Sequence, residues 1–81
     1  MDIKVLTITP QVAEIWLERN KNNRRIRKDH VAKLARDILN GRWNLNGESV
    51  KFDTNDNLID GQHRLFAIIE ANTAAETIIV T

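Results

Sequence analysis

Residues 58–71, LIDGQHRLFAIIEA, combine the end of an apolar strand, a tight Asp-Gly turn and the start of a helix. Apolar side chains follow the turn at helical spacing, so this helix has a face to bury. Its first turn instead carries a glutamine, a histidine and an arginine. A helix N-terminus exposes unpaired N–H groups and the positive end of the helix dipole. The stretch therefore predicts an anion site at the start of the helix, with phosphate as the expected ligand.

The predicted phosphate site consists of four successive residues, Gly61, Gln62, His63 and Arg64. Gly61 would let a ligand approach the backbone closely, and Arg64 can offer two parallel N–H donors. His63 is the candidate catalytic residue, because histidine exchanges protons near neutral pH. It can equally be a hydrogen-bonded structural residue. The whole turn can also be an ordinary helix start that is capped by Asp60.

A second candidate surface is the basic strip, residues 19–28, which holds six of the twelve cations and no acid. The remaining chain carries six cations against eleven acids, so the positive charge is local. Asparagine and arginine side chains suit phosphates and base edges. The predicted nucleotide or nucleic-acid contacts are Asn23, Arg24, Arg25 and Arg27. The alternative is a solvated loop with an excess of charge.

Carboxylates near the predicted phosphate site raise the question of a metal. Glu48 and Asp60 are weak candidates for holding Mg²⁺ or activating a water. Asp53 and Asp56 lie in or beside a predicted turn, where aspartate is common for backbone reasons. The chain has no cysteine, which excludes disulfides, thiolate metal ligands and thiol nucleophiles within it.

The periodicity of the chain predicts the order β-α-α-β-β-α-β. The predicted strands are 3–8, 48–53, 58–59 and 77–81, and the predicted helices are 10–19, 28–40 and 62–71. Thr9 is the expected N-cap of the first helix and Pro10 its first residue. This order predicts a small α+β domain, in which three helices cover one side of a mixed β-sheet. The final strand suits a sheet edge, or the point where a longer protein continues.

The length of 81 residues predicts a single domain, either complete or the N-terminal part of a longer protein. Apolar runs stay well below the ~18–20 residues of a membrane span, and the N-terminus lacks a signal-peptide core. We therefore expect a cytoplasmic protein with no membrane partner.

The run from Asp60 to Arg64, followed by Leu65 and Ala67, resembles the ParB/sulfiredoxin superfamily. The signature shared by that superfamily is a strand, then Gly-x-(His/Arg)-Arg opening a helix, with an alanine three residues on. A set of proteins linked to DNA modification carries Asp-Gly-Gln-His-Arg, the same five residues as 60–64. The asparagine-and-arginine loop at 22–25, the following helix and the strand at 49–52 extend the resemblance over nearly the whole chain.

The resemblance implies a ParB/sulfiredoxin-like fold and a cradle for nucleotide phosphates at the helix opened by Gly61. In ParB proteins this site binds and hydrolyses CTP with Mg²⁺, and some relatives are described as nucleases. Gly61 and Arg64 match the phosphate-binding motif. His63 matches its first basic position, and Arg24 matches the arginine of the upstream loop.

Two positions depart from the family pattern. Gln62 stands where sulfiredoxins have their catalytic cysteine, which excludes that chemistry here. It also replaces the ParB glutamate, and Phe66 replaces the second arginine of the motif. Taken together, these changes imply weaker metal binding and weaker neutralisation of a triphosphate than in ParB proteins. The 81 residues hold no helix-turn-helix module after the domain, so sequence-specific centromere binding is not expected from them.

Two functions stay open at this point. The first is binding of a nucleotide or nucleic-acid phosphate at residues 61–64, with or without hydrolysis of CTP, another nucleoside triphosphate or a phosphodiester. In it, His63 would contact a phosphate oxygen or the attacking water. The second is a non-enzymatic module, such as phages and plasmids encode, whose basic strip docks on DNA or on a protein that it regulates or inhibits. A homodimer is compatible with either function.

Overall fold

The computed structural model describes residues 2–20, 25–45 and 48–81. Its elements are β1 (Ile3–Ile8), α1 (Pro10–Leu17), α2 (Lys28–Leu39), β2 (Val50–Phe52), β3 (Leu58–Asp60), α3 (Gln62–Ala71) and β4 (Ala75–Val80). Within these described ranges, four strands form one mixed sheet in the order β1-β4-β2-β3 and are accompanied by three helices. The predicted α+β fold class is confirmed.

The last strand lies inside the sheet. β4 pairs antiparallel with β1, from Ile3 opposite Val80 to Ile8 opposite Ala75, and parallel with β2 on its other side. Of the two interpretations of this strand from the sequence, the place at a sheet edge is therefore wrong. Since the pairing with β1 already begins at Ala75, the strand also starts earlier than the predicted Thr77. β2 and β3 pair antiparallel across the predicted turn and form a hairpin, with β2 limited to three residues.

The buried residues of the sheet pack against α1 and α3. Alternate residues of β4 are buried, and in β2 the exposed Lys51 separates two buried neighbours. The main core joins the buried strand residues to α1 and α3; its members are Ile8, Ala13, Val50, Phe52, Leu58, Leu65, Ile68, Ala75 and Ile79. The central helix is α3, which contacts both α1 and α2 and buries six of its ten residues.

A smaller cluster joins α2 to α3. Val31 and Ala35 of α2 meet Ala67 and Ala71 of α3, and all four side chains are buried. Three of these residues are alanines, so the two helices can approach closely. The apolar face of α2 therefore packs against α3. The start of α2 lies beside the start of α3. None of the described helices is long and apolar enough to cross a membrane.

The ends of α1 follow from local side-chain chemistry. The Thr9 hydroxyl accepts a hydrogen bond from the Val12 N–H at 3.2 Å, and Pro10 is the first helical residue, as predicted. The helix ends at Leu17, before the predicted Arg19. The three amides that follow donate to carbonyls three residues back, which tightens the chain into a turn.

The turn between β2 and β3 is built around Asp53. Its carboxylate accepts hydrogen bonds from the backbone N–H of Asn57 at 2.9 Å, from that of Asn55 at 2.8 Å, and from the Asn57 side-chain amide at 3.1 Å. The backbone bond from Asn57 is the main cause that lowers the pKa of Asp53. Asp53 therefore has a structural role in the hairpin, which agrees with the backbone interpretation of its position.

The lowered pKa of Asp53 predicts a specific acid sensitivity. Its stabilising contribution is present above the ordinary aspartate pKa of about 3.9 and is lost as pH falls through the lower pKa of the folded state. Asp53→Asn keeps an acceptor oxygen but cannot change charge. Urea denaturation of both proteins should show a gap in unfolding free energy that narrows as pH drops below about 4. A gap that is independent of pH would contradict this account.

A second turn brings α3 against β2. Gly61 has φ +95°, a left-handed conformation that favours glycine. A Cβ at this position would lie 2.7 Å from the Val50 Cα and 2.9 Å from the Ser49 carbonyl oxygen. Both backbone conformation and space therefore require glycine here. The space that a side chain would fill is occupied by β2, so the close approach at Gly61 is to a strand.

Gly61→Ala should lower the free energy of unfolding by about 3 kcal/mol, because left-handed strain and overpacking add. Gly41→Ala is the matched control. Gly41 also has a left-handed φ, +70°, but no described atom lies within 4 Å of its added Cβ. Its cost should be roughly 1 kcal/mol. Chemical denaturation compares the two variants, and equal losses would show that contact with β2 is not what requires Gly61.

Candidate functional site

One polar cleft brings together the start of α3 and the segment before α2. Its volume is about 240 Å³, and its lining residues are Arg25, Arg27, His30, Glu48, Asp60, Gln62 and His63. We call this space the polar cleft. Part of each surface singled out in the sequence therefore lies at this cleft, where the Arg27 N–H, just before α2, bonds to His63 in the first turn of α3.

Only part of the basic strip reaches the polar cleft. Arg25 and Arg27 are exposed and line it, whereas Asn23 and Arg24 lie outside the described residues. Arg19 extends elsewhere, with its guanidinium carbon 5.9 Å from the centre of the Phe52 ring. Lys28 borders an apolar groove between α2 and α3. The described cations of the strip are thus distributed over three surfaces.

The formal charges that line the polar cleft balance. Arg25 and Arg27 line it together with two carboxylates, Glu48 and Asp60. The Asp60 carboxylate accepts a hydrogen bond from the N–H of Gly61 at 2.9 Å, but the N-cap residue of α3 is Gly61 itself. The interpretation of Asp60 as the N-cap is therefore wrong. No side chain caps α3 within the described chain, so its first N–H groups have no side-chain acceptor.

Gln62 joins two helices. The side chain is only 2% exposed, and its amide donates a hydrogen bond to the Asn20 side-chain oxygen at 3.2 Å. Asn20 lies just after α1, so this bond holds the end of α1 against the start of α3. A buried amide without such a partner would be costly. Gln62 thus contributes to the wall of the polar cleft and to the packing of the fold.

His63 accepts a hydrogen bond from the backbone N–H of Arg27. The distance from the Arg27 nitrogen to His63 Nε2 is 3.1 Å. An imidazole nitrogen that accepts carries no proton, so the proton of neutral His63 is on Nδ1. The His63 ring also lies beside His30, with 5.1 Å between ring centres and 65° between ring planes.

Arg64 lies in a pocket next to the polar cleft. This pocket, the Arg64 pocket, has a volume of about 210 Å³ and is lined by His30, Leu34, Glu48 and Arg64. His30 and Glu48 line both spaces. The guanidinium carbon lies 4.2 Å from the centre of the Trp43 ring, and Nη2 donates to the Asn44 carbonyl oxygen at 3.1 Å.

The positive charge of Arg64 is incompletely compensated. The residue is only 5% exposed, and its Nε has no hydrogen-bond partner in the described chain. Burial lowers the pKa of Arg64, and the negative charge of Glu48 opposes this effect. Among residues 2–20, 25–45 and 48–81, the one ion pair within 4 Å joins Lys33 to Asp37. A buried guanidinium without a carboxylate at contact distance is an unfavourable arrangement that a bound anion would relieve.

The described residues contain no group of three histidine or carboxylate side chains placed to hold a metal ion. Glu48 and Asp60, the two candidates from the sequence, do line the same cleft. Phe66 lies apart from it, in the α2–α3 cluster and its apolar groove. Phe66 is thus used for packing in this chain.

Two residues near the site were not identified as part of it from the sequence. His30 precedes Leu34 by one helical turn, which places it at the border of the buried face of α2. The spacing of His30 and Leu34 was the feature of the sequence from which the position of His30 could have been predicted. The second is Trp43, which contacts both core clusters. Its indole N–H also donates to the Glu76 carbonyl oxygen at 2.6 Å, which fixes the ring over Arg64.

Comparison of this chain with family models, with curated proteins and with solved structures finds no match. Membership of the ParB/sulfiredoxin superfamily therefore stays a prediction that rests on the residues of the resemblance.

The uncompensated charge predicts how Arg64 variants behave. Arg64→Met removes the charge but keeps a long side chain beneath Trp43. Its free energy of unfolding should stay within about 1 kcal/mol of wild type, because replacing a buried charge by an apolar group is often neutral. Arg64→Ala leaves a cavity and should cost about 2–4 kcal/mol. Urea denaturation tests both. A large loss in Arg64→Met would show that the charge itself stabilises the fold.

Proposed function

We propose that this chain binds a phosphate group of a nucleotide or nucleic acid in the polar cleft and the Arg64 pocket. The observation that carries the proposal is the buried Arg64 guanidinium, whose Nε is unpaired and which has no carboxylate within salt-bridge distance in the described chain. A phosphate oxygen would supply the missing acceptor and the missing negative charge, and arginine binds phosphate through parallel N–H donors.

Two further features support phosphate as the ligand. The N-terminus of α3 has no side-chain cap among the described residues, so its N–H groups and helix dipole can act on an anion. Arg25 and Arg27 are exposed at the rim of the same cleft. In this arrangement Arg64 contacts the phosphate from inside the protein, and the two rim arginines contact it from the solvent side.

The balanced charges of the polar cleft limit the choice of ligand. Glu48 and Asp60 oppose a free inorganic anion, so we expect a ligand that also contacts the cleft walls, as a nucleotide does. The resemblance to ParB proteins makes CTP the first nucleotide to test. Mg²⁺ would enter with the nucleotide, because it is held largely by substrate phosphates and water. We assign no protein ligand to it.

We propose binding without His63-assisted hydrolysis. A general base must present a free acceptor nitrogen to the proton that it removes. His63 Nε2 already accepts the Arg27 N–H at 3.1 Å. The candidate catalytic role of His63 therefore has less support than the phosphate-binding role of Arg64.

A second candidate function is an interaction module for DNA or an acidic protein. Arg19, Arg25, Arg27 and Lys28 are all exposed, and they lie on several surfaces. A broad anionic partner could contact several of them at once, whereas a single nucleotide could not. This distribution is the specific observation that keeps the module as an alternative.

Calorimetric titration with CTP, ATP and GTP in the presence of Mg²⁺ tests the first function. Arg64→Met and the double variant Arg25→Ala/Arg27→Ala should each weaken binding about tenfold or more, because each removes charge-assisted hydrogen bonds. Arg36→Ala is the control, since Arg36 is an exposed residue in the last turn of α2 and lines neither space. Absence of heat with every nucleotide would contradict nucleotide binding.

Titration with DNA at several salt concentrations separates the two functions. Binding through the exposed strip should survive Arg64→Met, fall in Arg25→Ala/Arg27→Ala and weaken steeply with added salt. Binding at the proposed phosphate site should be lost in both variants.

A further inference from the structure

We infer that His63 is a positioning residue, whose neutral imidazole holds the Arg25–Arg27 segment at the polar cleft. This inference rests on the proposed phosphate-binding function. It differs from the role expected from the sequence, in which His63 contacts a phosphate oxygen or an attacking water. The hydrogen bond from the Arg27 N–H to His63 Nε2 carries the inference, because it joins residues that are 36 positions apart.

The bond acts at the residue where α2 begins. Arg27 is the N-cap of α2, with extended backbone angles, and its carbonyl accepts the Val31 N–H at 3.1 Å. No side chain in the described chain caps this helix. The contact with His63 therefore sets the direction in which the chain enters α2. It also sets where the side chains of Arg25 and Arg27 meet the cleft.

Protonation of His63 would break this bond. A protonated imidazole has two N–H donors and no acceptor, so Nε2 could no longer accept the Arg27 N–H. The charged groups around His63 are known from the cleft. Arg25, Arg27 and a protonated His30 oppose a positive charge on it, and Glu48 and Asp60, which line the same cleft, favour one.

The two roles of His63 predict opposite responses to pH. A histidine that contacts phosphate binds it more tightly when protonated, so affinity would rise as pH falls. A histidine that holds the arginine segment must be neutral, so affinity would fall as pH drops through the range in which histidine titrates, from about 8 to about 5. A short single-stranded DNA without terminal phosphates is the suitable probe, because phosphodiesters keep their charge over this range whereas a phosphomonoester titrates near pH 6.

The ligand-free protein gives a test that does not depend on binding. Nitrogen-15 NMR of the His63 ring near pH 8 should show an unprotonated Nε2 and a protonated Nδ1. In His63→Phe, which keeps a ring but has no acceptor, exchange of the Arg27 amide should rise about fivefold. His63→Gln offers a carbonyl oxygen instead and should restore part of the protection. A proton on Nε2, or an Arg27 amide that does not respond to His63→Phe, would overturn the inference.

The binding arm uses the same variants and the DNA probe. The affinity of wild type should fall about fivefold from pH 8 to pH 5.5. His63→Phe should bind about fivefold more weakly than wild type at pH 8, and its affinity should not change over this pH range. The affinity of His63→Gln should lie between the two. An affinity of wild type that rises at low pH would assign His63 to the phosphate and overturn the inference. If no DNA binds, the proposed function is contradicted for nucleic acid as the ligand. The NMR result still decides whether His63 holds Arg27.

Discussion

The contact between Gly61 and β2 is the constraint on which the site depends. Because no side chain separates the turn from Val50, α3 begins directly against the sheet, and it packs against both α1 and α2. Most of α3 is consequently buried, including the polar residues Gln62 and Arg64 of its first turn. A glycine that the sequence suggested for ligand access instead determines how deeply the helix lies, and hence which of its polar groups remain in contact with the cleft.

The polar side chains in the first turn of α3 differ in the partners that the protein gives them. Gln62 satisfies its amide on Asn20, and His63 accepts from the Arg27 backbone. The Arg64 guanidinium lies against the Trp43 ring and donates to the Asn44 carbonyl oxygen, but no carboxylate in the described chain lies within salt-bridge distance of it. The three neighbours therefore differ in how fully the protein itself satisfies them. Arg64 is the one of the three whose Nε lacks an acceptor in the described chain. This contrast distinguishes it from the other candidate residues.

The sequence predicted features that depend on neighbouring residues. The predictions of a Thr9 N-cap and of a helical apolar period in α2 were correct, because caps and helical faces are local properties. The position of β4 inside the sheet was not predictable from periodicity, since strand order depends on pairing between distant segments. The same limit applied to the site. Its residue types were evident, whereas the burial of Arg64 and the contact between His30 and His63 arise from packing of α2 on α3.

The pairing of β1 with β4 has a consequence for how the chain forms. β1 precedes the other described elements in chain order, and its partner in the sheet, β4, follows them. Next to this pair, the Asp2 N–H donates to the Thr81 carbonyl oxygen at 2.8 Å, and the Thr81 N–H donates to the Asp2 carbonyl oxygen at 2.9 Å. Until β4 has been made, β1 has no neighbour with which to pair, since it forms the outer strand of the sheet. The sheet therefore closes late, and folding must wait for the contact that is most distant along the chain.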